Sequence, residues 1–232
     1  HINRVAVDDK KVADLDAMER HVTNRTSLVF LCNPNNPTGT IVAANKLRDF
    51  CETVSRRTLV FSDEAYYDYI TEPGYPSMLE LVKKDYNIVV SRTFSKVYGL
   101  AGIRIGYLIA RPGIIEHISH QQVERPNMLA LHAASQALDE PDFYQYSLQK
   151  NAGAKRMIYN TLDTLRLEYV PSQTNFIFFK TGREITEVQA NMLKQGVRVG
   201  RPFPPFRKWC RVSTGKTEEV AALQQAMMRV FG

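Results

Sequence analysis

The chain has 232 residues, 44% hydrophobic and 23% charged, with 30 basic side chains against 24 acidic for a net charge of +6. This is ordinary globular composition; it excludes disordered, collagenous and low-complexity chains, and a chain of this length buries roughly 70% of its unfolded surface. No apolar run approaches the roughly 18 residues of a membrane span, and the scattered positive charges form no basic tail or aromatic-lined face for nucleic acid. Residues His1 to Lys10 are polar and mixed, unlike a signal peptide. The cysteines Cys32, Cys51 and Cys210 are odd in number and have no CxxC spacing. They read as reduced core thiols of a cytoplasmic protein, not as a disulfide frame or zinc site.

In chain order, Ile2–Val7 alternates and predicts a strand, and Val12–Val22 has helical spacing. Ser27–Cys32 is a continuous apolar run, which predicts a strand buried on both faces. The turn-rich Asn33-Pro-Asn-Asn-Pro-Thr-Gly39 follows, then a helix over Ala43–Arg56. Thr58–Asp63, Asn87–Ser91 and Ile105–Ala110 predict three more buried strands. Strands alternating with helices mean an α/β layer with a mostly parallel or mixed sheet. Ile114–Gln122 and Met128–Leu138 read as helices, and Pro141 starts a long one that runs to about Leu167. Short strands at Asn175–Phe179, Val197–Val199 and Trp209–Ser213, with helices at Thr186–Lys194 and Thr217–Val230, describe a small α+β domain. The boundary falls inside the long helix, giving domains 1–145 and 146–232. The chain opens abruptly at His1 on a predicted strand, which points to a piece of a longer protein.

Four segments carry chemistry. Asn33–Gly39 lies at the carboxyl end of a strand, the edge where ligands bind in open α/β sheets, and its two prolines stiffen the backbone around Asn36. Asp63 also ends a buried strand, where a carboxylate costs several kcal/mol unless a cation pairs with it. A protonated pyridine nitrogen is such a partner, and a helix cap is the plainer alternative. Tyr66 sits three residues on, able to place its phenol on the same side. Lys96 follows a third strand, in a loop of small and hydroxyl residues where an amine can act as an imine-forming nucleophile. Thr93, Ser95 and Arg104 could together hold a phosphate through hydroxyls and a guanidinium. Arg211, flanked by Cys210 and Val212 in a strand, suits a carboxylate or an internal salt bridge. His117 and His120 share a helix face without a third partner, so a solvated face explains them better than a metal.

Together and in this order, Asn33–Gly39, Ser62-Asp-Glu-Ala-Tyr66, Thr93-Phe-Ser-Lys96 with Gly99–Arg104, and Arg211-Val-Ser-Thr-Gly215 resemble the class I/II, fold-type I aminotransferases that use pyridoxal 5'-phosphate (PLP). The likeness is closest to the histidinol-phosphate branch. It implies a partial three-layer large domain with a mostly parallel sheet, followed by the small α+β domain, in a cytoplasmic homodimer. It further implies that Lys96 forms an imine with PLP and shuttles the substrate proton. Asp63 would pair with the ring nitrogen, Asn36 and Tyr66 would hydrogen-bond O3′, and Thr93, Ser95 and Arg104 would hold the phosphate. Arg211, with Asn36 beside the cofactor, would bind the α-carboxylate of a small-molecule amino donor, and a 2-oxo acid would accept the amino group. No metal is implied. The family's upstream phosphate contacts, ring-stacking aromatic and cross-dimer tyrosine would precede His1.

One departure concerns the substrate's far end. Gly200 stands nearest the slot where the histidinol-phosphate branch carries an arginine, and either Arg201 or Arg198 serves instead. An aromatic amino-acid aminotransferase and a threonine-phosphate decarboxylase-like enzyme are the alternative readings.

Overall fold

In the computed structural model, which describes residues 1–123 and 125–232, three of the apolar runs lie side by side. Leu28–Cys32 (β1), Leu59–Asp63 (β2) and Ile88–Thr93 (β3) pair in parallel, and Gly106–Ile109 (β4) joins β3 antiparallel, giving the order β1-β2-β3-β4. The register sets Cys32 beside Asp63 and Asp63 beside Ser91, so β1 and β2 end at the level of Ser91, and β3 continues two residues further to Thr93. Backbone bonds from Asn33 N to Asp63 O (3.0 Å) and from Glu64 N to Ser91 O (3.1 Å) carry the ladder one step past the strands.

Leu15–Arg20 (α1) starts at Asp14, whose carboxylate accepts the Ala17 amide and so satisfies one of the free donors of the first turn. Ala44–Ser55 (α2) buries Leu47, Phe50, Cys51 and Val54, a single helical stripe, in the same core as Val29, Leu31, Val60 and Val90 of the sheet. Leu79–Val82 (α3), Pro112–His120 (α4) and Met128–Leu138 (α5) follow, and α5 is capped by Asn127. Pro141 opens Pro141–Thr164 (α6), where its missing N–H costs nothing.

Tyr169–Val170 (β5), Phe176–Lys180 (β6) and Trp209–Ser213 (β7) form an antiparallel sheet of order β5-β6-β7. Ile185–Lys194 (α7) and Thr217–Phe231 (α8) pack on it, with Ile158 and Leu162 of α6 meeting Ile177, Val188 and Met227. Among the described residues no helix is long and apolar enough to cross a membrane.

The chain divides into two units, His1–Asn35 with Ile41–Tyr144, and Asn36–Thr40 with Gln145–Gly232. The break in α6 falls next to the boundary read from the sequence, but Asn36–Thr40 belongs with the second unit. Its Gly39 carbonyl accepts the Gln173 amide at 2.7 Å.

Three expectations fail. Ile2–Val7 is no strand: Ile2 is 78% exposed and only Val7 pairs, in a lone bridge to Ala13. An alternating hexapeptide without a neighbour has nothing to hold its backbone bonds. Val197–Val199 is likewise irregular. Next to it, Gly200 N bonds Arg211 O of β7 at 3.0 Å. Finally, β1 is not buried on both faces. Leu28 and Phe30 are 47% and 55% exposed, while Val29 and Leu31 point into the core. The face of β1 and β2 that carries Phe30 and Phe61 is less covered than the face that carries Val29 and Val60, so the apolar run alternates in burial although not in composition; β4, also expected buried, exposes Tyr107 and Leu108.

Candidate active site

The carboxyl ends of β2 and β3 assemble the first cluster. Asp63 is half-buried, and its Oδ1 accepts both the Ala65 amide and the Ser91 hydroxyl, each at 3.1 Å. Asp63 is not the helix cap of the plainer alternative, because the short helix that follows, Tyr67–Tyr69, starts at Tyr66 without a side-chain cap; Oδ1 serves the turn, and Oδ2 takes no donor among the described residues. The next residue, Glu64, is buried and turns away. Its Oε1 accepts the Met78 amide (2.7 Å), and its Oε2 accepts Ser77 Oγ (2.7 Å) and Arg92 Nη2 (2.7 Å) and Nε (3.0 Å). Burial pushes the Glu64 carboxyl above the usual range although Arg92 and these donors oppose it. The Arg92 guanidinium also lies 4.1 Å from the centre of the Tyr67 ring.

Lys96 is held by its neighbours. Phe94 and Val97 are buried, the Gly99 amide bonds Lys96 O at 2.9 Å, and Leu100 N bonds Phe94 O at 2.9 Å. Gly99 is required here, with φ +72° and a Cβ position 3.2 Å from the Phe143 ring. The Lys96 ammonium sits 4.9 Å from the centre of the Tyr66 ring, so the loop after β3 meets the end of β2. Beside it, Thr93 Oγ1 accepts the Ser95 amide at 3.0 Å, and Arg104 Nη1 donates to Ser95 Oγ at 3.2 Å and to Ala101 O at 2.8 Å. Arg104 adopts φ +55°, a left-handed conformation that non-glycine residues rarely take outside special sites.

The second unit holds a different cluster. Gly39 (φ +77°) packs so closely on Ser172 that an added Cβ would lie 2.6 Å from its Oγ. Ser172 O in turn accepts the buried Lys155 ammonium at 2.8 Å, and burial lowers the pKa of that amine. This anchored loop presents Asn36, whose Oδ1 accepts Arg211 Nη1 at 2.8 Å. The Arg211 guanidinium carbon lies 5.0 Å from the centre of the Phe176 ring and 4.9 Å from that of Phe203. The Arg201 guanidinium lies 4.3 Å from the same Phe203 ring, so two cations share one aromatic side chain. Arg198 instead lines a groove with Ser213, Thr214 and Glu219, whose lining includes neither Arg201 nor Arg211. Gly200 admits no side chain, since a Cβ there would lie 2.5 Å from Arg211 O.

The profile of the family described as aminotransferase class I and II matches residues 2–227. The chain belongs to that family. It is 42% identical over 218 residues to the histidinol-phosphate aminotransferase of Bacillus cytotoxicus, covering 91% of this chain and 58% of the relative. It is 40% identical over 224 residues to that of Moorella thermoacetica, covering 94% and 57%. The histidinol-phosphate aminotransferase of Sinorhizobium meliloti, solved with pyridoxal-5'-phosphate, superposes with TM-score 0.87 at 27% identity, over 100% of this chain and 64% of that one. The chain thus spans somewhat more than half the length of the curated relatives it matches.

Within this member of the family, Asp63, Tyr66, Thr93, Ser95, Lys96 and Arg104 lie in the first unit and Asn36, Arg201 and Arg211 in the second. Sequence reasoning overlooked Ser91, the Glu64–Arg92 pair and the two rings around Arg211. Ser91 carried a readable signal, because a hydroxyl at the end of a predicted strand can fall beside an acid ending its neighbour. Phe176 and Phe203 carried none, being indistinguishable from core residues.

Proposed function

We propose that this chain carries the cofactor-holding lysine and the carboxylate-binding arginine of a PLP-dependent aminotransferase. The enzyme would move the amino group of histidinol phosphate to a 2-oxo acid, as a cytoplasmic homodimer. The observation that carries the reading is Asp63: a half-buried carboxylate with one oxygen committed and the other open, in one unit with a lysine beside Tyr66 and a Ser95–Arg104 pair. These residues fit PLP, which needs an acid for its ring nitrogen, an amine for its aldehyde and a cationic, hydroxyl-lined place for its phosphate. Bound there, PLP supplies an electron sink for the pair left when the substrate Cα loses its proton.

The chain's own groups do the rest. Lys96 Nζ takes that proton as the general base and returns it on the other side of the transfer. Asp63 would keep the ring nitrogen protonated, Asn36 and Tyr66 would hydrogen-bond O3′, and the Thr93 and Ser95 hydroxyls would donate to the phosphate while Arg104 offsets its charge. Arg211 binds the carboxylate of amino- and oxo-acid partners, oriented by Asn36. Arg201 meets the phosphate of histidinol phosphate, and its loop carries Pro202, Pro204 and Pro205. Cys32, Cys51 and Cys210, none of them in a disulfide among the described residues, agree with a reducing compartment.

The test is turnover of the full-length, PLP-loaded protein with histidinol phosphate and, separately, with aromatic amino acids. Preference for histidinol phosphate supports the reading. Equal or better turnover of aromatic donors overturns the substrate, and the absence of a visible PLP band overturns the cofactor.

A further inference from the structure

We infer that Ser91 is a positioning residue for Asp63, one that decides which carboxylate oxygen is offered to the cofactor nitrogen. The inference rests on the proposed pairing of Asp63 with that nitrogen. Its basis is the sheet register. Asp63 has a neighbour in each flanking strand, Cys32 on β1 and Ser91 on β3, and side chains paired across adjacent strands project to the same face. The Cys32 thiol donates elsewhere, to Pro34 O at 3.3 Å. Among the described residues Ser91 therefore supplies the only side-chain hydrogen bond to Asp63, 3.1 Å to Oδ1.

A carboxylate on a short side chain can present either oxygen by rotating about its last torsion, which is broad. Here Oδ1 is held from two sides, by the Ala65 amide along the chain and by the Ser91 hydroxyl across the sheet. One backbone donor alone leaves the carboxylate plane free to swing about that bond; the second donor removes the freedom. Oδ2 is then fixed toward whatever cation approaches, and the orientational cost of pairing falls on folding, not on binding. Ser91 touches neither substrate nor cofactor in this scheme. It acts only through Asp63.

The experiment compares Ser91→Thr with Ser91→Val in the full-length protein. Both side chains suit a strand, and they differ by a hydroxyl against a methyl. The readouts are the PLP dissociation constant of the apo-protein and the pH midpoint of the bound cofactor's visible band. Ser91→Val is expected to weaken PLP binding by roughly twofold to tenfold, a fraction of the worth of a charge-assisted hydrogen bond, because Ser91 acts on the cofactor only through Asp63. It should move the band's midpoint in the same direction as Asp63→Asn, by less. Ser91→Thr should restore both. If Val impairs folding, Ser91→Ala stands in for it, with the same expectation. Equal behaviour of the hydroxyl and hydroxyl-free variants, with Asp63→Asn altered, overturns the role of Ser91 alone. An Asp63→Asn variant that matches wild type in both readouts overturns the pairing itself, and the inference with it.

Discussion

In the first unit, Asp63, Ser91 and Thr93 owe their places to the backbone ladder: they lie at or near the carboxyl ends of parallel strands, and the register alone sets Asp63 against Ser91. In the second, Arg211 is a long cation whose guanidinium is steered by Asn36 at 2.8 Å and by two aromatic rings about 5 Å away. Short side chains on a sheet edge need little beyond the sheet to be precise. A long side chain must be braced at its tip, because each of its torsions loses rotamer freedom on ordering. Substitutions in the first cluster should therefore change chemistry at nearly constant stability. Those in the second should mix binding with packing.

The largest expected effect is on the ladder side. Lys96→Ala should cost at least roughly 10²–10⁴-fold in turnover through loss of the general base. It should also remove the visible PLP band while leaving the thermal midpoint near wild type. Near-wild-type turnover would show that another amine serves. On the braced side, Arg211→Ala should raise KM for every carboxylate-bearing substrate by roughly tenfold to a hundredfold, the worth of a charge-assisted hydrogen bond. Arg211→Lys should recover only part, since an ammonium lacks the planar fork. A KM unchanged for 2-oxo acids would break the assignment.

Gly39→Ala probes the loop that brings Asn36 to Arg211. Its φ of +77° and the 2.6 Å approach to Ser172 Oγ predict destabilisation of at least about 1–2 kcal/mol, the cost of a left-handed residue with a Cβ. Denaturant titration would read it, together with a rise in KM that Lys96 variants do not share. Arg201→Ala should raise KM for histidinol phosphate by about tenfold and leave aromatic amino acids untouched. An equal effect on both would make Arg201 a structural partner of Phe203.

The smallest effect concerns the cores. Burial pushes the Cys51 and Cys210 thiols up to about 12. A thiol reagent at pH 8 should modify half-buried Cys32 before either of them. The native state keeps both buried thiols protonated where the unfolded chain releases them. The stability this contributes is thus complete below the ordinary thiol pKa, 9.0, and is lost as pH rises from there toward 12. Alkaline unfolding followed in Cys51→Ala and Cys210→Ala would show a shallower decline over that range.

Much of this was written locally. Runs such as Leu59–Asp63 and the stripe Leu47, Phe50, Cys51, Val54 fall into strand and helix through side-chain periodicity, which is a property of neighbours in sequence. The order of Asp63, Lys96 and Arg211, with the loop before them, was legible for the same reason, since each sits in a short motif of distinctive residue types. Tertiary structure decided which side chains meet. Ser91 reaches Asp63 across 28 residues and Arg211 reaches Asn36 across 175, and no local pattern encodes such closures. It also decided that Ile2–Val7 stays irregular and that Phe30 faces outward, because a strand exists only beside a partner and a face is buried only if something covers it.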